Sequence, residues 1–278
     1  MSGRTQLASI PPASPPPVLT IRDLGFQAPA LKKRATGQTI LQNLNLNLRE
    51  QEFVSIVGPS GCGKSTLLNF IAGLLPVQQG EIHLAEKQPG EAYSLGYMFQ
   101  QHGLLPWRNV RDNVGLGLEI QGVAKRDIVE RSQRVLNDLG LTGYEQHYPA
   151  QLSGGMCQRV ALARMLVSSP DILLMDEPFG ALDAQTRVFI QELFSHYWET
   201  HKKTVLFVTH DLAEALFLSD RIVVMGARPG RIVAEYDITF PRPRHFDTLR
   251  TSSRFGSLLN QLWQDIKSHT VTGGQRDA

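Results

Sequence analysis

The chain shows almost no charge imbalance and contains very little cysteine. Its 28 Lys and Arg are set against 26 Asp and Glu, leaving a formal net charge of +2 over 278 residues. That balance predicts no large nucleic-acid footprint. Two cysteines, Cys62 and Cys157, are too few for a disulfide framework and fit a reducing cytosol. No run of roughly 18 or more apolar residues is present, so the chain is not expected to cross a bilayer by itself. Residues 1–17 make a poor secretory leader, with one Arg, no apolar stretch, and prolines at 11, 12, 15, 16 and 17. A disordered, partly polyproline-like tail is expected there.

What is present reads as alternating strands and helices. Val18 to Leu24 and Leu41 to Leu48 alternate as half-buried strands do, with Asn45 and Asn47 on the polar face of the second. Between them, residues 32–37 form a basic polar turn. Phe53 to Val57, Ile172 to Met175, Val205 to Val208 and Ile222 to Met225 are short apolar runs of buried-strand length. Helical segments lie between them, notably 65–72, 186–199 and 211–219. This rhythm predicts an α/β fold with a mostly parallel sheet covered on both faces. Residues from about 104 to 167 interrupt it with helical patterns: Ile128, Val135, Leu136 and Leu139 share one face before Gly140, and a second helix starts at Ser153. The expectation is a helical insertion.

The segment Gly58-Pro59-Ser60-Gly61-Cys62-Gly63-Lys64-Ser65 fits G-x-x-x-x-G-K-[ST] between a strand and a helix, the context that a phosphate-binding loop requires. Glycines let the backbone N–H groups curl around phosphate oxygens, and the helix start adds partial positive charge. Lys64 can neutralise the terminal phosphates, and Ser65, followed by Thr66, can hold Mg²⁺ through its hydroxyl. The strand at 172–175 ends in Asp176 and Glu177. Asp176 can orient Mg²⁺, and Glu177 can polarise a water attacking the γ-phosphate. The strand at 205–208 ends in Thr209 and His210, whose imidazole can bond both the γ-phosphate and Glu177.

Leu152-Ser153-Gly154-Gly155-Met156-Cys157-Gln158-Arg159 resembles the signature sequence of the ATP-binding-cassette (ABC) transporter family. The order of phosphate loop, signature, acidic strand and histidine is that family's. The resemblance covers about residues 18–232. It implies a P-loop NTPase (RecA-like) core, with an antiparallel β subdomain near the N-terminus and a helical insertion. It assigns Gln100, with Gln101 as the alternative, to the Q-loop that touches Mg²⁺ and couples to the membrane subunit. Asp183 falls in the D-loop, His210 at the switch histidine, and Phe26 where an aromatic stacks on adenine, with simple core packing as the other reading of that ring. It also implies that two cassettes sandwich two ATP molecules head to tail, so that Ser153, Gly154 and Gly155 serve the partner's nucleotide. Transmembrane permease subunits, and indirectly a solute-binding protein, are the implied partners, at the cytoplasmic face of the inner membrane.

The chain departs from the family in three places. Met156 stands where Gln is common. Cys157 stands where relatives often carry Arg, and the missing charge would weaken ATP affinity or shift partner contacts. Arg49-Glu50-Gln51-Glu52 lacks a glycine often found before the strand. Leu104-Leu105-Pro106-Trp107, with Pro178-Phe179-Gly180-Ala181, resembles the nitrate, sulfonate and taurine importer group. There the segment after the Q-loop forms a groove for a permease helix, although Trp107 can equally be packing. Two other readings exist: a soluble cassette ATPase acting on nucleic acid or ribosomes, and a small-molecule phosphotransferase. The first typically carries two cassettes in one chain, and the second has no need of the signature. The cassette domain is expected over 18–240. Residues 241–278 follow as a tail in which Phe255, Leu258, Leu259, Leu262 and Ile266 recur at helical spacing.

Overall fold

Alternation in the first two apolar segments becomes a pair of long strands in the computed structural model of the protein, which describes residues 16–29 and 37–271. The tail at 1–15 and the basic turn at 32–36 lie outside the described residues. β1 (Pro17–Ala28) and β2 (Gln38–Arg49) run antiparallel, Pro17 opposite Arg49. Leu41, Leu44, Leu46 and Leu48 face inward, while Asn45 and Asn47 face out. A turn then leads into β3 (Phe53–Val57), every residue of which is buried. No glycine is available in that turn, so Gln51 takes φ 58°, and its N–H donates to Thr204 Oγ1 at 2.9 Å. That bond supports a backbone conformation which a non-glycine residue rarely adopts.

Helix α1 (Lys64–Ile71) follows β3, and β4 (Gln79–Leu84) returns to β1, giving the three-stranded antiparallel sheet β2-β1-β4. A short hairpin of β5 (Glu86–Gln88) and β6 (Glu91–Ala92) precedes β7 (Leu95–Met98). The chain next forms a helical layer of α2 (Val110–Val114), α3 (Leu116–Ile120), α4 (Lys125–Asp138) and α5 (Gly154–Leu166). Val114, Leu118, Leu136 and Leu141 pack against Val160 and Leu162 there. Asn113, fully buried, fixes the entry to this layer. It accepts from Leu105 N at 2.8 Å and donates to the carbonyls of Leu105, Arg108 and Asn109. A buried amide so fully bonded holds its loop rigidly.

β8 (Ile172–Asp176), α6 (Ala184–His201), β9 (Thr204–Val208), α7 (Leu212–Leu218) and β10 (Arg221–Gly226) restore the alternation. β11 (Arg231–Asp237), α8 (Phe246–Arg250) and α9 (Ser253–Val271) complete it. The central sheet has the order β11-β10-β3-β9-β8-β7; β10 through β7 are parallel, and only β11 is antiparallel. The expected mostly parallel α/β sheet is therefore present, with its antiparallel companion and helical insertion. Parallel strands bring their carboxyl ends to one edge, so the segments after β3, β7, β8 and β9 meet there. Phe255 and Leu262 of α9 pack with Leu216 of α7 and Val224 of β10.

Two charged side chains lie inside this packing. Arg244, 1% exposed at its side chain, donates to the carbonyls of Phe217 at 2.9 Å and Ser219 at 2.8 Å. Burial lowers its pKa to about 10, with Arg242 adding to the effect and Asp220 opposing it. Arg244→Ala would orphan those carbonyls and open a void. We expect a loss of about 3 kcal/mol in chemical denaturation. Glu214 of α7 is 4% exposed. Desolvation, with a smaller push from Asp211, raises its pKa from 4.5 to about 7, against hydrogen bonds from Thr209 and Gln191 and the charge of Arg187. Between those two values the folded chain keeps a proton that the unfolded chain has released. This contribution to stability is therefore present below pH 4.5 and lost as the pH rises to about 7. Relative to Glu214→Gln, wild type should lose up to about 3 kcal/mol across that window in denaturant titrations.

Candidate functional site

The turn from β3 into α1 carries the glycine-rich loop. Gly63 has φ 99°, and a Cβ there would lie 2.6 Å from Leu41 Cδ2, so β2 closes directly onto the loop. On its other side, Gly230, in the turn between β10 and β11, donates to Ile40 O at 2.8 Å and lies against the carbonyl of Cys62. Lys64 is 6% exposed, and its Nζ donates to Gly58 O at 2.8 Å and Pro59 O at 3.1 Å. Cys62 is fully buried in the loop, where desolvation raises its thiol pKa despite Lys64. Pro59, Ser60 and Gly61 form the outer rim, and Thr66 is half-buried behind Ser65.

Ser65 Oγ donates to Asp176 Oδ1 at 2.9 Å. Asp176 is 8% exposed; burial raises its pKa, the Ser65 bond opposes this, Glu177 adds to it and Lys64 opposes it. The carboxylate is thus short of positive charge. Glu177 takes φ 44°, a left-handed conformation costly for a non-glycine residue, and its N–H is held by Val208 O at 2.8 Å. Its Oε2 lies 3.0 Å from His210 Nδ1 and accepts from Gln100 Nε2 at 3.5 Å. Gly180 sits beside both side chains; a Cβ there would lie 3.7 Å from His210 Cε1. Of the two glutamines considered for the Q-loop, Gln100 reaches Glu177, whereas Gln101 lines a separate groove with Tyr97, His102, Arg164 and Met165. Arg164 pins that loop, donating to Gly103 O at 2.8 Å and His102 O at 2.6 Å.

Lys64, Ser65, Gln100, Asp176, Glu177 and His210 therefore converge at one edge of the sheet. Ser153, Gly154 and Gly155 do not join them. Among the described residues, no hydrogen bond links 153–155 to 58–66. Ser153 caps α5, its Oγ accepting from Met156 N at 3.3 Å. Gly154 faces open space. Gly155 is required by close approach, since a Cβ there would lie 2.3 Å from Thr186 Cγ2 at the start of α6. Cys157 points inward at 6% exposure, with Sγ toward Pro149 O at 3.6 Å, so this is a packing position rather than one facing the helix start. Asp183 is exposed and caps α6, accepting from Thr186 N at 3.0 Å; that bond lowers its pKa. Phe26 is half-buried, its ring edge-on to Phe70 at 5.1 Å, so packing against α1 accounts for one side of it.

Several contributors were not singled out from sequence. Gln158 bonds the carbonyl of Pro178, joining α5 to the segment after Glu177. Thr209, Gln191 and Glu214 form a buried polar cluster behind His210. Its one legible trace was a glutamate on an otherwise apolar helix, Leu-Ala-Glu-Ala-Leu-Phe-Leu.

Comparison with known proteins places this geometry in a family. The ABC transporter family model matches residues 41–180. An uncharacterised ABC transporter ATP-binding protein of Methanocaldococcus jannaschii is 50% identical over 227 residues, 81% of this chain and 85% of that protein. The taurine import ATP-binding protein TauB of Escherichia coli K12 is 46% identical over 207 residues, 74% of this chain and 81% of that one. Among solved structures, the dimeric form of a bacterial ABC transporter cassette superimposes with a TM-score of 0.68 at 32% identity, covering 80% of this chain and all of that one. A dimeric post-hydrolysis state of an ATP-binding cassette, bound to ADP and Pi, matches equally well, with a TM-score of 0.68. With the phosphate loop, the paired carboxylates and the histidine gathered at one sheet edge, and with relatives of this similarity along most of its length, the chain belongs to the ABC transporter family as an ATP-binding subunit.

Proposed function

We propose that this ATPase energises a bacterial importer for a small anion of the taurine or sulfonate kind, working as a head-to-tail pair of cassettes. The observation that carries the hydrolytic assignment is the Glu177 carboxylate, flanked by His210 at 3.0 Å and Gln100 at 3.5 Å beside the Ser65–Asp176 bond. Glu177 orients the attacking water, and His210 donates toward the γ-phosphate while bracing Glu177. Lys64 and the loop N–H groups hold the phosphates, and Phe26 offers a flat surface for the base.

The donor set fits Mg²⁺. Ser65, Asp176 and Gln100 present oxygen ligands suited to a hard cation, and the buried Asp176 lacks the positive charge such an ion would supply. Bound there, Mg²⁺ would neutralise charge on the β- and γ-phosphates. Among the described residues Ser153, Gly154 and Asp183 make no hydrogen bond to the chain's own phosphate loop, and we assign them to face a second copy, as in a dimeric cassette. The groove lined by Tyr97, Phe99, Gln101, His102 and Arg164, together with Trp107, 72% exposed farther along the same segment, is the surface we assign to the permease. Attachment at the cytoplasmic face would run through that permease; among the described residues no helix is long and apolar enough to cross a membrane. A solute-binding protein would deliver the cargo on the opposite side. The cargo assignment rests on likeness to taurine import proteins, because no residue of an ATPase subunit touches the solute.

Glu177→Gln should lower ATP turnover at least about 100-fold in a phosphate-release assay. The same variant should still form an ATP-dependent dimer on sizing. Turnover at the wild-type rate, with no dimer from either protein, would remove Glu177 from the chemistry.

A further inference from the structure

Polar side chains are buried where α6 meets α7. Glu214 lies in the first turn of α7 at 4% exposure. Its Oε1 accepts from Gln191 Nε2 of α6 at 2.7 Å, and its Oε2 is bonded to the Thr209 hydroxyl. The same hydroxyl oxygen accepts from Asp211 N at 3.0 Å. A single side chain, held by a single carboxyl, therefore ties the backbone on both sides of His210.

A second link runs parallel to the first. Asp211 Oδ1 caps α7 through Ala213 N at 2.9 Å and Glu214 N at 3.2 Å, and its Oδ2 lies 3.5 Å from Arg187 Nη1. Arg187 Nη2 donates to Leu182 O at 2.8 Å, just before Asp183 opens α6. The His210 turn is thus fastened to α6 at two levels. His210 itself is 57% exposed at its side chain, and among the described residues its ring is hydrogen-bonded to Glu177 alone. An imidazole so exposed stays within reach of Glu177 only if its backbone is fixed to about 0.5 Å.

We infer that Glu214 is a positioning residue for ATP hydrolysis: through Thr209 it fixes the turn that presents His210 to Glu177, and through Gln191 it joins that turn to the helix beginning at Asp183. This inference rests on the reading of Glu177 and His210 given above. The role belongs to hydrogen bonding rather than to charge. An ionised Glu214 accepts from Thr209, and a protonated one donates to it, so either form keeps the link. A glutamine at 214 can do the same, its oxygen accepting from Gln191 and its NH₂ donating to Thr209. Burial raises the carboxyl toward neutrality, with Asp211 and Arg187 as the charged groups facing it, in keeping with a link that needs no charge.

The test is steady-state ATP hydrolysis by full-length Thr209→Val, Glu214→Leu, the double variant and Glu214→Gln, with melting temperatures recorded beside them. Thr209→Val and Glu214→Leu should each lower kcat about tenfold, with KM for ATP within about twofold of wild type. The double variant should be no slower than the slower single, and Glu214→Gln should stay within about twofold of wild type. Three results would overturn the role: wild-type kcat in Thr209→Val, losses that multiply in the double variant, or a Glu214→Leu defect confined to melting. Glu177→Gln is assayed alongside. If that variant hydrolyses normally, the reading of the site fails and this role with it. If only Thr209→Val is unaffected, the positioning role alone is discarded.

Discussion

The bond from Ser65 to Asp176 spans the site, and it depends on strand order. β9 lies between β3 and β8, and all three run in the same direction, so the loop after β3 and the end of β8 emerge level with each other. A hydroxyl on the first turn of α1 then meets a carboxylate two strands away at 2.9 Å. Reversing or reordering one strand would move these groups to opposite edges. Even the left-handed backbone at Glu177 follows from this frame, because Val208 O of the neighbouring strand fixes its N–H.

Burial of polar groups does the rest of the positioning. Asn113 holds the entry to the helical layer, Arg244 holds the end of α7, and Glu214 holds the turn before it. Each is surrounded by apolar residues that exclude water, so an unmet bond would be costly and the bonded geometry is strongly preferred. The site edge itself is more open: Ser65, Gln100 and His210 are exposed.

Much of this was readable in the chain because the chemistry sits in contiguous runs. A strand that runs into glycines and then a lysine, and a strand that ends in two acids, each state element and function together. Between Gln100 and Gln101 only the family resemblance favoured Gln100; the turn after β7 brings that side chain to Glu177 and leaves Gln101 on a separate groove, which no local period records. β4 and β11 escaped because both are edge strands with largely polar or half-exposed residues and carry little alternation. Thr209, Gln191 and Glu214 escaped for another reason. Their association joins the turn around Thr209 and Glu214 to Gln191 of the preceding helix across the intervening strand, and no local period records it.

The two halves of the site are anchored to different layers. The phosphate loop leans on β2 through Leu41 and on the β10–β11 turn through Gly230, both parts of the sheets. The carboxylate and histidine side, at the ends of β8 and β9, is tied to helices as well: Gln158 of α5 to Pro178, Gly155 of α5 against Thr186, and α6 to the His210 turn. A substitution in these helices would therefore bear first on the residues assigned to hydrolysis, while those assigned to the nucleotide lean on the sheets. Grip and trigger thus lean on different neighbours yet are joined across the site by the Ser65–Asp176 bond, so neither half is set without the other.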